Sequence, residues 1–182
     1  MANVKALAIS MVVLRVICIF ASAATIAVLV TDQFTDSDGL QTTFKDVAVY
    51  RFVLATAVVG AAYALIQMPL AVYFSCTEKR IIRHSFFQEF DFYGDKIISF
   101  LLASGVGAGF AYSFEQKRNV NQLVNDLFQG GVFIRNEDLD KLKKFFDIAM
   151  VASGLLALAF LCMAIVSICS SIVRSSSRGL WK

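Results

Sequence analysis

Three stretches of this chain contain no aspartate, glutamate, lysine or arginine: Phe52 to Thr77, Ile97 to Phe114 and Ile148 to Val173. A fourth, Ala6 to Val30, carries a single charge, Arg15. An apolar run of about 18 residues or more is long enough to cross a hydrocarbon core of about 30 Å as a helix. Charge has been cleared into the segments between these runs, which a soluble domain has no reason to do. Composition points the same way. The chain is 58% hydrophobic and 17% charged, where a soluble domain averages about 45–50% and about 25%. One proline and ten glycines exclude collagen-like and disordered chains. Lipid offers no partners to backbone N–H and C=O groups, so a spanning segment must satisfy them internally as a helix or a closed barrel. Barrel strands alternate in polarity over about ten residues, and no such alternation is present.

The sequence therefore predicts an all-α integral membrane bundle of four transmembrane helices, forming one domain over residues 1–182. The expected helices run from about Ala6 to Val30, Phe52 to Phe74, Phe92 to Phe114 and Phe146 to Ile172. Outer loops cover residues 31–51 and 115–145, and an inner loop covers 75–91. Pro69 is expected to kink the second helix, because it removes one backbone bond. Ala21-Ser22-Ala23 resembles a signal-peptide cleavage site, but the first apolar stretch is too long for one and has Arg15 at its middle. It is read as a retained helix. An even number of spans puts both termini on one side. Basic residues divide equally between the two sides, so the positive-inside rule does not decide by count. Their higher density in the shorter segments favours cytoplasmic termini.

The first outer segment is acidic, with Asp32, Asp36, Asp38 and Asp46. The inner loop is basic early and aromatic late, which suits anchoring at the headgroup level. In the second outer loop, Val120, Leu123, Val124, Leu127 and Phe128 follow a helical repeat that Gly130-Gly131 ends. This predicts a short amphipathic helix on the outer leaflet, followed by an upward extension of the last helix from an N-cap at Asn136. Cys18, Cys162 and Cys169 fall within spans, so no outer disulfide framework is expected. Cys76 lies at a juxtamembrane position that suits palmitoylation or a plain buried thiol. His84 is the sole histidine and has no second ligand for zinc. With no nucleophile–base set, metal cluster or phosphate-binding loop, a non-enzymatic role without cofactor or metal is expected.

Two charges remain at membrane depth. An arginine at helix centre costs about 2.5–3.5 kcal/mol on insertion scales, so it normally faces a partner or a cavity. Counted at about 1.5 Å per residue, Arg15 lies roughly 13 Å in from the inner face and Asp95 roughly 4–5 Å in from the same face. Gln67 lies roughly 10 Å in on the second span, at a depth that joins them. Helical side chains lean toward the N-terminus, which aims Arg15 down toward Asp95. Two readings fit: an Arg15–Asp95 pair that fixes helix packing, or Arg15 snorkelling alone to headgroups with Asp95 at the interface. Small residues suit close helix approach: Gly105 and Gly109 in a GxxxG spacing, Gly60 and Ala64 on the second span, and Ala149, Ser153 and Ala157 on the fourth. They serve packing within one bundle, contact with another copy, or both. A channel or transporter subunit is the alternative class, although ion routes usually need several carboxylates or histidines.

Leu14-Arg15-Val16, Val49-Tyr50-Arg51-Phe52 with Tyr63, and above all the run from Phe90-Asp91-Phe92-Tyr93-Gly94-Asp95 to Lys96-Ile97-Ile98-Ser99 carry a family resemblance. The chain resembles plant CASP-like proteins of the Casparian strip membrane domain family, related to MARVEL-type four-helix proteins, and within them the 4D-type subgroup. That family is marked by an arginine in its first helix and an aspartate in its third, matching Arg15 and Asp95. The resemblance implies a multi-pass plasma-membrane protein with cytoplasmic termini that forms homo-oligomers, as dimers or larger, and hetero-oligomers with related members. It implies a membrane scaffold, linked in the strip-forming members to cell-wall-modifying enzymes. Membrane lipid is the other expected contact, and no nucleic acid is expected. The Phe-, Pro- and Thr-rich first outer loop of those members is replaced here by the acidic stretch around Asp32 to Asp46.

Overall fold

The computed structural model describes residues 2–35, 41–77, 85–129 and 136–179. Four helices make up most of them: α1 (Ala2–Thr31), α2 (Ala48–Thr77), α3 (Ser85–Gln129) and α4 (Asn136–Gly179). Between α1 and α2 lies a small antiparallel hairpin, β1 (Gln33–Thr35) and β2 (Gln41–Thr43), with Phe34 opposite Thr42. Each helix contains an apolar span: Ile9–Thr31, Ala48–Val72, Phe92–Asn125 and Leu139–Ile172. The protein is a four-span, all-α membrane bundle carrying one small hairpin that the acidic first segment did not announce.

The helix expected at 120–128 exists, but it is the far end of α3 and not a separate element lying on the leaflet. No glycine or proline interrupts the chain between Phe114 and Gln129, so nothing stops the third span from continuing. α4 likewise begins at Asn136, well before Phe146. The apolar spans of α3 and α4 run 34 residues each, about 50 Å at 1.5 Å per residue, so both outlast a hydrocarbon core of about 30 Å. Lys117 Nζ meets Asp147 Oδ1 at 2.6 Å and links the two helices near that end. Pro69 does not end α2, which continues to Thr77.

A hydrogen-bonded turn over Thr43–Asp46 leads into α2. Asp46 Oδ2 accepts from the Thr43 backbone N–H at 2.8 Å and from its hydroxyl at 3.1 Å. The Thr43 carbonyl accepts from the Asp46 N–H at 3.0 Å. Thr-x-x-Asp has the spacing of a capping box, but the Thr43 hydroxyl donates to Asp46 and α2 begins only at Ala48, so the pair closes a turn before the helix. These donors, the backbone one foremost, hold the Asp46 carboxyl below its usual range, with Arg51 and Lys45 adding.

The helices form a square: α1 packs between α2 and α4, and α3 packs between α4 and α2. α1 and α3 stand on one diagonal. The interior is narrow because its residues are small. Ala57, Ala64, Ala149, Ala152 and Ala159 are fully or almost fully buried, with Leu102, Leu156 and Met163 filling the space between. A Cβ on Gly60 would stand 2.8 Å from Leu102 Cδ2. One on Gly105 would run into the Thr56 hydroxyl, and one on Gly109 into the Ser153 hydroxyl. The GxxxG face of α3 is therefore clasped between α2 and α4 of the same chain. Three buried hydroxyls donate along their own helices: Thr25 to Ala21 O, Thr56 to Val53 O and Ser153 to Ala149 O. The outer faces are apolar, and Phe20, Ile66, Phe100 and Phe114 are each at least 70% exposed.

The two kinds of glycine should respond oppositely to a methyl group. Gly105→Ala forces Thr56 or the backbone to move, and overpacking of this kind costs about 1–3 kcal/mol. Gly107 has nothing within 4 Å of its would-be Cβ. Gly107→Ala should therefore leave stability unchanged or raise it by up to about 1 kcal/mol, the helix-propensity difference. Thermal midpoints of the two variants in detergent, against wild type, check this.

Candidate functional site

Charges inside a bilayer-spanning bundle are costly unless paired, so the polar residues buried between these helices are the natural place to look. Arg15 projects from α1 and Asp95 from the lower part of α3, and both are buried. Arg15 Nη2 donates to Asp95 Oδ1 at 2.9 Å and to Oδ2 at 3.2 Å. The two helices lie diagonally across the square, so the bridge needs a side chain of arginine's length.

α2 supplies the rest. Tyr63 Oη donates to Asp95 Oδ1 at 2.9 Å. Gln67, one turn further on, donates from Nε2 to Tyr63 Oη at 3.3 Å. The Arg15 guanidinium carbon also lies 6.0 Å from the Tyr63 ring centroid, at the edge of cation–π range. Three helices thus meet on one carboxylate. The close approach of Tyr63 has a backbone reason. A Cβ at position 94 would stand 2.6 Å from Tyr63 Oη and 3.1 Å from its Cε2, so Gly94 opens the path by which the phenol reaches Asp95.

Sequence reasoning placed Arg15, Asp95 and Gln67 at compatible depths, and the structure brings them into one cluster. It left out Tyr63 and Gly94 as site residues. Tyr63 precedes Gln67 by four residues and so shares its helix face, which was the available signal. Gly94 carried none, because only the packed structure shows what its missing side chain would strike. Gly60, Gly105, Gly109 and Ala64 lie at interhelix contacts within the chain and not at this site. Cys76 falls within α2, but its side chain lies outside the described residues, as does His84. Cys18, Cys162 and Cys169 are buried free thiols. Among the described residues no three His, Cys, Asp or Glu side chains gather as a metal set would.

The geometry is unusual in one respect. Both carboxylate oxygens share the single nitrogen Nη2, whereas arginine–carboxylate pairs commonly use two nitrogens in a fork. Arg15 Nε and Nη1 are buried and find no acceptor among the described residues. The cluster can hold helices together through charge.

A second polar group closes the other end of the bundle. Tyr50 Oη and Ser113 Oγ are 3.0 Å apart. The Tyr50 ring meets Tyr112 and Phe145 edge-on at 5.4 and 5.9 Å between centroids. This joins α2, α3 and α4 through a buried aromatic cluster.

Comparison with known proteins bears on the same residues. Residues 4–125, which include Arg15, Tyr63, Gly94 and Asp95, match the model of the Casparian strip membrane protein domain. CASP-like protein 4D1 of Sorghum bicolor is 36% identical over 172 residues, covering 86% of each chain. CASP-like protein 4D2 of Arabidopsis lyrata subsp. lyrata is 34% identical over 170 residues, covering 91% of this chain and 90% of its own. CASP-like protein 4D2 of Arabidopsis thaliana is 37% identical over 129 residues, covering 70% of this chain and 66% of its own. No solved structure matches the chain.

Removing one partner of a buried pair strands the other charge, at about 3–5 kcal/mol, whereas replacing both by apolar groups is often neutral. Asp95→Asn and Arg15→Met should each be strongly destabilising, and the double variant with Asp95→Leu should recover most of the loss. Tyr63→Phe removes a hydrogen bond to a charged group and should cost about 1.5–3 kcal/mol. Gly94→Ala should produce a similar loss by displacing the phenol, and should add little on top of Tyr63→Phe. A thermal-unfolding cycle over these variants in detergent measures all the couplings.

Proposed function

The chain belongs to the Casparian strip membrane protein family, and on that premise we propose that it is a non-enzymatic scaffold that oligomerises to organise a plasma-membrane subdomain. The observation that carries this reading is the use made of the intramembrane polar groups. Arg15, Asp95, Tyr63 and Gln67 contact one another across α1, α2 and α3, an arrangement that rigidifies a bundle. A rigid bundle with apolar outer faces is suited to repeated lateral contact with copies, relatives and lipid. Both termini are cytoplasmic in this reading, which places the α3–α4 ends and the small hairpin outside the cell. Cell-wall-modifying enzymes are the partners that the family role suggests for those outer segments.

One observation favours a second reading, a small channel or transporter subunit. Arg15 Nε and Nη1 are buried donors without acceptors among the described residues, and such donors suit a passing or resident polar species. Current or flux through reconstituted protein, altered by Arg15 or Gln67 substitution, would support it.

Cross-linking in native membranes followed by purification separates the readings. The scaffold proposal expects discrete homo- and hetero-oligomers. It also expects Asp95→Ala to lower the amount of protein accumulating in the membrane and the fraction recovered as oligomer. A chain recovered only as a monomer without partners would overturn it.

A further inference from the structure

Gly109 of α3 faces Ser153 of α4, and Gly105 faces Leu156. The Lys117–Asp147 pair closes the same register at the upper edge of the bundle. The two helices therefore enter hydrocarbon at one level, α3 below Glu115 and α4 below Asp147. From there α4 is free of charge from Ile148 to Val173, about 39 Å, whereas α3 is free of charge only from Phe114 down to Ile97, about 27 Å. Carried down one residue for one, the register sets Lys96 beside Val166.

At that level the other three helices are still apolar. The register of α1 follows from Thr25 on Ala152 O, and that of α2 from Val53 and Thr56 against Gly109 and Gly105. Ile9 of α1, Val72 of α2, and Ile168 and Ile172 of α4 all lie below Lys96 and are exposed. The lipid-facing surface thus has a step of about 12 Å at its lower edge, confined to α3.

Lys96 marks the step. It shares the lipid-facing side of α3 with Tyr93, Ile97 and Phe100, each more than half exposed. Asp95, beside it in sequence, is turned inward onto Arg15 and Tyr63. Among the described residues no carboxylate lies within 4 Å of the Lys96 ammonium. Its Nζ stands 4.0 Å from the Phe92 ring centroid, one turn nearer the start of α3, so the stem leans toward the lower edge. That is the direction of the headgroups, where a lysine on a lipid-facing surface places its charge.

We propose that the lower edge of α3 is a phospholipid-binding face, on which Lys96 holds a headgroup phosphate drawn inward and the bilayer is thinner than beside α4. The phosphate supplies the negative charge that no described residue offers, and Ile97 and Phe100 lie against the acyl chain. An apolar face that is too short is met by thinning of the bilayer and by snorkelling of the flanking cation. Here the lean of Lys96 covers part of the step and the displaced headgroup covers the rest. The step is the same whichever side of the membrane this edge faces and whether or not the chain oligomerises.

Tryptophan quenching by brominated phospholipids tests this. The full chain, with its sole tryptophan Trp181 changed to Phe, is reconstituted at low density into vesicles of phosphatidylcholine and phosphatidylglycerol. The probe lipids carry bromine either near the headgroup or near the chain end. Ile97→Trp and Ile165→Trp stand level on the bundle and both face lipid, at 64% and 46% exposure. A flat bilayer would quench them alike. Ile97→Trp should be quenched more by the shallow bromine and Ile165→Trp more by the deep one, with depths several Å apart and at most about 12 Å. Phe110→Trp and Val151→Trp, level with each other near the upper edge, should differ little and so correct for tilt. Adding Lys96→Leu, which removes only a lipid-facing charge, should bring Ile97→Trp to the depth of Ile165→Trp. Equal depths before that change, a difference that survives it, or an Ile97→Trp shielded from both lipids overturns the proposal.

Discussion

A charge cannot be left alone in hydrocarbon, and the lower half of this bundle is organised around that fact. Arg15 costs several kcal/mol to bury without a partner, and its partner stands on the helix diagonally opposite. The pair therefore does what apolar packing cannot. Contacts between neighbouring helices are made by many interchangeable side chains, whereas the α1–α3 link depends on one guanidinium and one carboxylate at 2.9 Å. A rotation or shift of either helix would separate them. Tyr63 and Gln67 bring α2 into the same constraint, so three of the four helices are fixed in register by one carboxylate.

The small residues make that register reachable. Lipid tails are as apolar as leucine, so helices in a bilayer gain little by hiding apolar surface from it and gain more by close backbone approach. Gly60, Gly105 and Gly109 bring α2, α3 and α4 close enough that a single methyl group would collide. Gly94 applies the same device to polar chemistry, since its missing side chain is the space through which Tyr63 reaches Asp95. Close packing and charge pairing are thus one arrangement, with glycine serving each in turn. The other end is held differently, by the Tyr50 aromatic cluster, with the Thr43–Asp46 turn just before α2.

Much of this was legible in the chain, for reasons that differ by residue. The spans follow from charge-free runs, because hydrocarbon admits almost no exceptions. Arg15 and Asp95 stood out for the same reason, and depth counting put them within reach of each other. Helix ends were less legible. Periodicity marked Val120 to Phe128 as helical but could not show that nothing separates them from the third span. The hairpin before α2 had no apolar alternation to reveal it.

By itself, then, the sequence determined that the chain crosses a membrane four times as helices and that one arginine at depth needs an answer. Both follow from the cost of placing polar groups in hydrocarbon, which is a property of composition along the chain. Only the tertiary structure decided which faces meet. It turned the GxxxG face inward against Thr56 and Ser153 and gave Gly94 its purpose. It also buried Asp32 at the junction of α1 and the hairpin. Those outcomes depend on distances between helices far apart in sequence, and no local pattern of residues encodes a distance.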